Sequence, residues 1–331
     1  MTTLRLSPLR TPLCEQLDIA VPIVLAGMGG VSMAPLVAAV SNAGGLGVLG
    51  AANLSPEGLR AEIRRARTLT ARPFGVDLLA PVAEMIEPYL PVLFDEGVRI
   101  FVAGLAVPER HIAEMRRRGM RVVVMCGKVS HALRAERAGA DVVVAQGTEA
   151  GGHTGEIGTM ALVPQIVDAV RVPVLAAGGI VDGRGVLAAL ALGAQGVVMG
   201  TRFIATREAT AAVEYQQALI RAQQDDTVRT RCYTGKPLRT LKNHYVAEWE
   251  TSGQATAPFP NQLLVSVQQG VLGYWEEHVD PARACMPAGQ GVGAFRDIQP
   301  AGDVVRMVVA HAEALLREGF LATAARAAQT V

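Results

Sequence analysis

A (β/α)8 barrel, an α/β fold, is what this sequence predicts, and three observations lead there. Eight short apolar runs recur through the first two hundred residues, and helical patterns separate them. The runs lack clean alternation, which marks strands buried on both faces, as in a parallel sheet. Glycine-bearing turns follow several of them. A length of 331 residues accommodates one large α/β domain and a smaller attachment.

The predicted strands are 22–26, 46–50, 73–79, 98–103, 121–125, 141–145, 173–177 and 196–199, each rich in Val, Ile or Leu. The predicted helices are 33–42, 55–68, 82–96, 108–118, 129–138, 161–169 and 183–191. Ser55-Pro56 places a capping hydroxyl before a proline at the first helical position. Gly119 and Gly139 suit the left-handed end of a helix, and Asp182 suits the cap of the next. An open dinucleotide-binding sheet would need GxGxxG after its first strand. Gly27, Gly29 and Gly30 do not have that spacing.

After residue 206 the rhythm changes. Residues 208–224, 261–280 and 303–319 read as helices, and 225–260 as polar and irregular, ending in a turn-rich connector. The expected division is a barrel over 1–207, a mainly helical substrate-side appendage over 208–285, and a C-terminal segment over 286–331 that returns to the barrel.

Net charge is +1, which gives no electrostatic case for nucleic acid or an anionic membrane. The Arg116-Arg117-Arg118 run reads as a solvated helix end. Cys14, Cys126, Cys232 and Cys285 lack metal-ligand spacing and read as reduced thiols. There is no signal-peptide core and no apolar run near the roughly 18 residues of a membrane helix, so a cytoplasmic location is expected.

Two loops carry the binding argument. The seventh barrel strand ends in Ala177-Gly178-Gly179, and the eighth in Met199-Gly200-Thr201. Barrels bind phosphate at these two loops, where glycine lets the backbone approach an anion. The phosphate's owner, a nucleotide or a phosphorylated substrate, stays open at this level. The loop after the sixth strand, Gln146 to Gly155, holds His153, the one histidine set among glycines, at the catalytic face. Imidazole suits proton abstraction near neutral pH. Glu149 and Asp77 also fall at strand ends within reach of that face. His111, His131 and His311 lie on helix patterns and read as surface or packing residues; Tyr215, Tyr233, Tyr245 and Trp249 read mainly as packing.

Together with Pro22 to Met28, Asn42 to Gly47, Pro73 to Val76 and Ala288-Gly289-Gln290, these segments resemble the nitronate monooxygenase family, formerly the 2-nitropropane dioxygenases. Its superfamily includes the FMN-dependent enoyl-ACP reductases. The resemblance spans nearly the whole chain and implies FMN at the C-terminal face of the barrel. It implies that Gly27 and Met28 lie along the flavin ring and that Gln146 and Gly151 approach its ribityl chain or edge. It assigns the phosphate to Gly178, Gly179, Gly200 and Thr201, and closure over the flavin to Gln290. His153 matches the family's proposed base. The activity implied is oxidation of alkyl nitronates or nitroalkanes with O2, giving a carbonyl compound and nitrite. The alternatives are an NAD(P)H-dependent FMN reductase acting on an enoyl thioester or quinone, and a non-catalytic FMN-binding subunit. A homodimer is also an expectation. Two positions depart from the family. Asp77 stands where Asn is usual, and an ionised Asp accepts hydrogen bonds but donates none. Lys128 is displaced from the position of a flavin-contacting lysine.

Overall fold

Val142, Val143, Val144 and Ala145 are consecutive and all fully buried, so the strand that carries them is covered on both faces. The same holds for strand after strand in the computed structural model, which describes residues 7–79, 83–273 and 275–319. In chain order the strands are β1 (Ile23–Leu25), β2 (Gly47–Gly50), β3 (Phe74–Leu79), β4 (Ile100–Gly104), β5 (Arg121–Cys126), β6 (Val142–Gln146), the two-residue β7 (Gly152–His153), β8 (Val174–Ala177) and β9 (Gly196–Met199). All but β7 join one parallel sheet, ordered β1-β9-β8-β6-β5-β4-β3-β2. Val24 bridges to Leu46 in parallel, and Leu25 N–H donates to the Leu46 carbonyl at 2.9 Å, closing the ring as a (β/α)8 barrel.

Two apolar layers hold it. Inside the ring, Val24, Val48, Val102, Val123, Val144, Leu175 and Val198 pack with Leu13, Cys14 and Leu17 of the short N-terminal helix Pro12–Leu17. Outside, Leu25, Phe101, Val122, Val143 and Val197 pack against Leu36, Ile63, Ile112, Ile166 and Val186 of the surrounding helices. Each such fully buried side chain contributes roughly 1.5–3 kcal/mol relative to exposure. The last helix, Ala301–Glu318, covers the outside with Val304, Val305, Val308 and Ala312.

The helix signals act as their chemistry requires. Ser55 Oγ accepts from Gly58 N–H at 3.1 Å, and Asp182 accepts from the amides of Arg184 and Gly185. Gly139 ends its helix at φ 97°. The predicted 82–96 helix differs. Its described part is two 3-10 turns, Ala83–Met85 and Glu87–Tyr89, followed by Leu90–Asp95. Pro88 and Pro91 each restart the chain by removing an amide donor.

The region expected to be irregular contains a hairpin. β10 (Thr227–Thr230) pairs antiparallel with β11 (Leu238–Leu241), and β11 pairs antiparallel with β7. Helices Val213–Arg221, His244–Ser252 and Asn261–Gln268 surround it. The last ends well short of the predicted residue 280, because Gly270 turns into the left-handed region at φ 67°. Tyr233 and Tyr245 stack at 5.2 Å and pack with Cys232, Cys285 and Val271, forming a small core. All four cysteines are buried and free. Among the described residues no helix is long and apolar enough to cross a membrane, and no cluster of His, Cys, Asp and Glu could hold a metal.

Candidate active site

A cavity of about 710 Å³ opens over the C-terminal ends of the barrel strands. Its wall brings together Gly27 and Met28 after β1, Asp77 on β3, Gln146 and Gly151 around β6, Gly178 and Gly179 after β8, and Gly200 and Thr201 after β9, along with His153. Gln290 is not part of that wall. Its side chain is exposed, and its N–H donates to the Glu149 carbonyl at 2.9 Å. Its neighbours Gly289 and Gly291 face the cavity instead.

The glycines mark where backbone must lie close to something else. A Cβ on Gly178 would sit 2.6 Å from Thr159 Oγ1, and Gly178 and Gly179 hold φ of 112° and 70°. Only glycine occupies such positions without strain. Thr201 starts the short helix Thr201–Ile204, and its Oγ1 accepts from Gly289 N–H at 2.9 Å. The returning segment is thereby tied to the loop after β9. Glu149, expected near the site, does other work. Its carboxylate accepts from Thr159 N–H and Oγ1 at 2.9 Å and so caps the helix Thr159–Ala169.

His153 is held from a distance in sequence. Leu238 of β11 pairs with it, Pro237 O accepts from Thr154 N–H at 3.3 Å, and Arg239 Nε donates to Thr148 O at 2.8 Å. The hairpin therefore grips the loop on both sides of the imidazole. Gln146 Nε2 donates to the His153 carbonyl at 3.1 Å. His153 Nε2 lies 3.0 Å from Thr234 Oγ1, and Phe259 meets the ring edge-on at a centroid distance of 6.5 Å. Thr234 Oγ1 also donates to Lys236 O, so towards His153 it accepts a hydrogen bond from Nε2–H. Nδ1 then carries the free lone pair. Burial, reinforced by the charge of Lys236, pushes the imidazole down to about 4, so it is neutral at pH 7.

Several wall residues had no signal in the sequence. Thr234, Lys236 and Phe259 come from residues 234–259, and Leu105 turns the chain after β4 at φ 69°, a conformation leucine rarely adopts. Lys128 and His131, at the start of the helix Val129–Ala138, reach the rim. Tyr215 touches the cavity while donating to Pro287 O, whereas Tyr233, Tyr245 and Trp249 pack together. His244 and His278 are exposed and pair with Glu248 and Glu214.

The family model for nitronate monooxygenase matches residues 10–311. A protein of Mycobacterium tuberculosis named "(3aS,4S,5R,7aS)-5-hydroxy-7a-methyl-1-oxo-octahydro-1H-indene-4-carboxyl-CoA dehydrogenase" is 40% identical over 250 residues, covering 75% of this chain and 70% of its own. The solved structure of FabK from Thermotoga maritima aligns with a TM-score of 0.84 at 35% identity, covering 93% of this chain and 98% of its own. A nitroalkane oxidase from Streptomyces ansochromogenes aligns with a TM-score of 0.82 at 33% identity, covering 92% and 99%.

Proposed function

Because the chain belongs to the nitronate monooxygenase family, and is an oxidoreductase of the flavin-dependent kind, we propose that it binds FMN and oxidises alkyl nitronates with O2. The products are a carbonyl compound and nitrite. The observation that carries this reading is the neutral His153 on the wall of the glycine-lined cavity, with one nitrogen anchored to Thr234.

The wall fits a phosphate-bearing flavin. Gly178, Gly179 and Gly200 leave room beside the backbone where side chains would intrude, and Thr201 adds a hydroxyl. Gly27 and Met28, next to Gly200, offer an apolar surface for the ring. FMN supplies acceptance of the substrate's electrons and their transfer to O2. The protein's own residues bind, orient and exclude water. His153 Nδ1 accepts a proton from the carbon next to the nitro group of a neutral substrate. Its low proton affinity makes it a weak base, so the ready-made nitronate anion, which has already lost that proton, is the better substrate. The segment 208–285 supplies Thr234, Lys236, Phe259 and Trp275 to the substrate side of the wall.

The second reading is a dehydrogenase or reductase of acyl thioesters using a nicotinamide. The 40% identical relative, named for a CoA thioester, favours it. The deciding experiment mixes the FMN-loaded protein, without oxygen, with propyl nitronate, nitroethane, NADH, NADPH or an enoyl-CoA. The proposal expects the nitronate to bleach the flavin fastest. Bleaching by NAD(P)H and not by the nitronate overturns it. Replacing His153 with Ala should abolish oxidation of nitroethane and spare most of that of its nitronate.

A further inference from the structure

Asp77 is 7% exposed, on the cavity wall, and no described residue makes a hydrogen bond to its carboxyl oxygens. A buried carboxylate without a partner is costly. Its surroundings are bare of charge. β2 and β4, its neighbours at Gly50 and Val102, carry no ionisable group, and neither do Gly27 and Met28. A Cβ on Gly27 would lie 2.1 Å from Asp77 Cβ, so backbone is pressed flat against this side chain. The ionisable groups elsewhere on the wall are Lys128, His131, His153, Tyr215, Lys236 and Cys285. None of them perturbs it. Loss of water alone pushes the carboxyl up to about 8.

We infer that Asp77 serves in this cavity as an uncharged carboxylic acid whose O–H donates a hydrogen bond to an acceptor atom of the flavin. The inference rests on the flavin reading given above. A neutral acid offers an O–H donor beside a carbonyl acceptor, where an asparagine amide offers N–H donors beside a carbonyl acceptor. The two side chains are nearly equal in shape. The position therefore keeps a donor at neutral pH and loses it when the acid ionises, which an amide never does. Asp77 thus makes flavin binding sensitive to alkaline pH.

The test strips FMN from the protein and titrates it back by flavin fluorescence from about pH 6 to about pH 9.5, for wild type, D77N and D77L. Wild-type affinity should fall roughly 30-fold between about pH 7 and about pH 9.5, following the neutral fraction of a group that titrates near 8. D77N should match wild type at about pH 7 and escape that fall, and D77L should bind weakly throughout. Difference infrared spectroscopy on the flavin-free protein should show a protonated carboxyl stretch at about pH 7 that D77N lacks. Identical pH profiles for wild type and D77N, or no protonated carboxyl, overturn the inference. A chain that binds no FMN at any pH, in wild type and variants alike, overturns the flavin reading itself and is told apart by that result.

Discussion

His153 Nε2 sits 3.0 Å from Thr234 Oγ1, across 81 residues of chain. The hydroxyl is itself buried and bound to the Lys236 carbonyl, so it cannot turn away. One ring nitrogen is thus committed as donor and the other is left to accept.

Removing the Thr234 hydroxyl should free the ring. T234V is expected to lower kcat for nitroethane roughly 10- to 100-fold, the usual cost of a misplaced catalytic group. The nitronate anion, which needs no base, should lose far less. T234S should recover most of the rate. Steady-state kinetics on both substrates check this, and equal losses on both would count against His153 as the base.

Lys236 holds the imidazole down by charge, secondary to burial. K236M should therefore raise the His153 titration point while leaving it below the free value of 6.5. Nitrogen-15 NMR of labelled histidine reads that point directly. A downward shift would contradict the charge assignment.

Asp77 and His153 tilt stability in opposite directions. His153 titrates near 4 in the fold and 6.5 free, so between those values the unfolded chain holds more protons. Stability rises with pH across that window. Asp77 moves from 3.8 free to about 8 in the fold, so there the folded chain holds more protons. Its contribution falls as pH rises from 3.8 to 8. Urea unfolding of the flavin-free protein at a series of pH values should show D77N losing the decline and H153A losing the rise.

Gly178 and Glu149 give two separable outcomes. G178A should weaken FMN binding at least tenfold, because its Cβ would meet Thr159 Oγ1 at 2.6 Å in a left-handed backbone. E149A should leave the wall's lining intact and remove the cap of Thr159–Ala169, costing about 1–2 kcal/mol. Fluorescence titration and thermal melts distinguish them.

The barrel was legible because its information is local. β6 reads as a strand from Val142, Val143 and Val144 alone, and Ser55-Pro56 announces its helix before any contact is known. The glycine loops were legible for the same reason. The hairpin was not. Its strands, TVRT and LRTL, are short and mix Thr and Arg with apolar residues, and its partner β7 is two residues long. Register between β11 and β7 is fixed by tertiary contact, which leaves no period in the sequence. Thr234, Lys236 and Phe259 reach His153 only through that pairing. Gln290 shows the converse: the resemblance points to its closing over the flavin, whereas its side chain is exposed and its backbone amide, bonded to Glu149 O, engages the loop.

The pairing of Leu238 with His153 makes the imidazole and the hairpin side of the cavity wall a single mechanical part. A barrel can ordinarily exchange one loop for another without disturbing its catalytic groups. Here the strand that presents the imidazole is stitched to the segment that shapes the mouth. Remodelling the mouth for a bulkier substrate would carry the imidazole with it, so on the function proposed above substrate range and proton transfer change together.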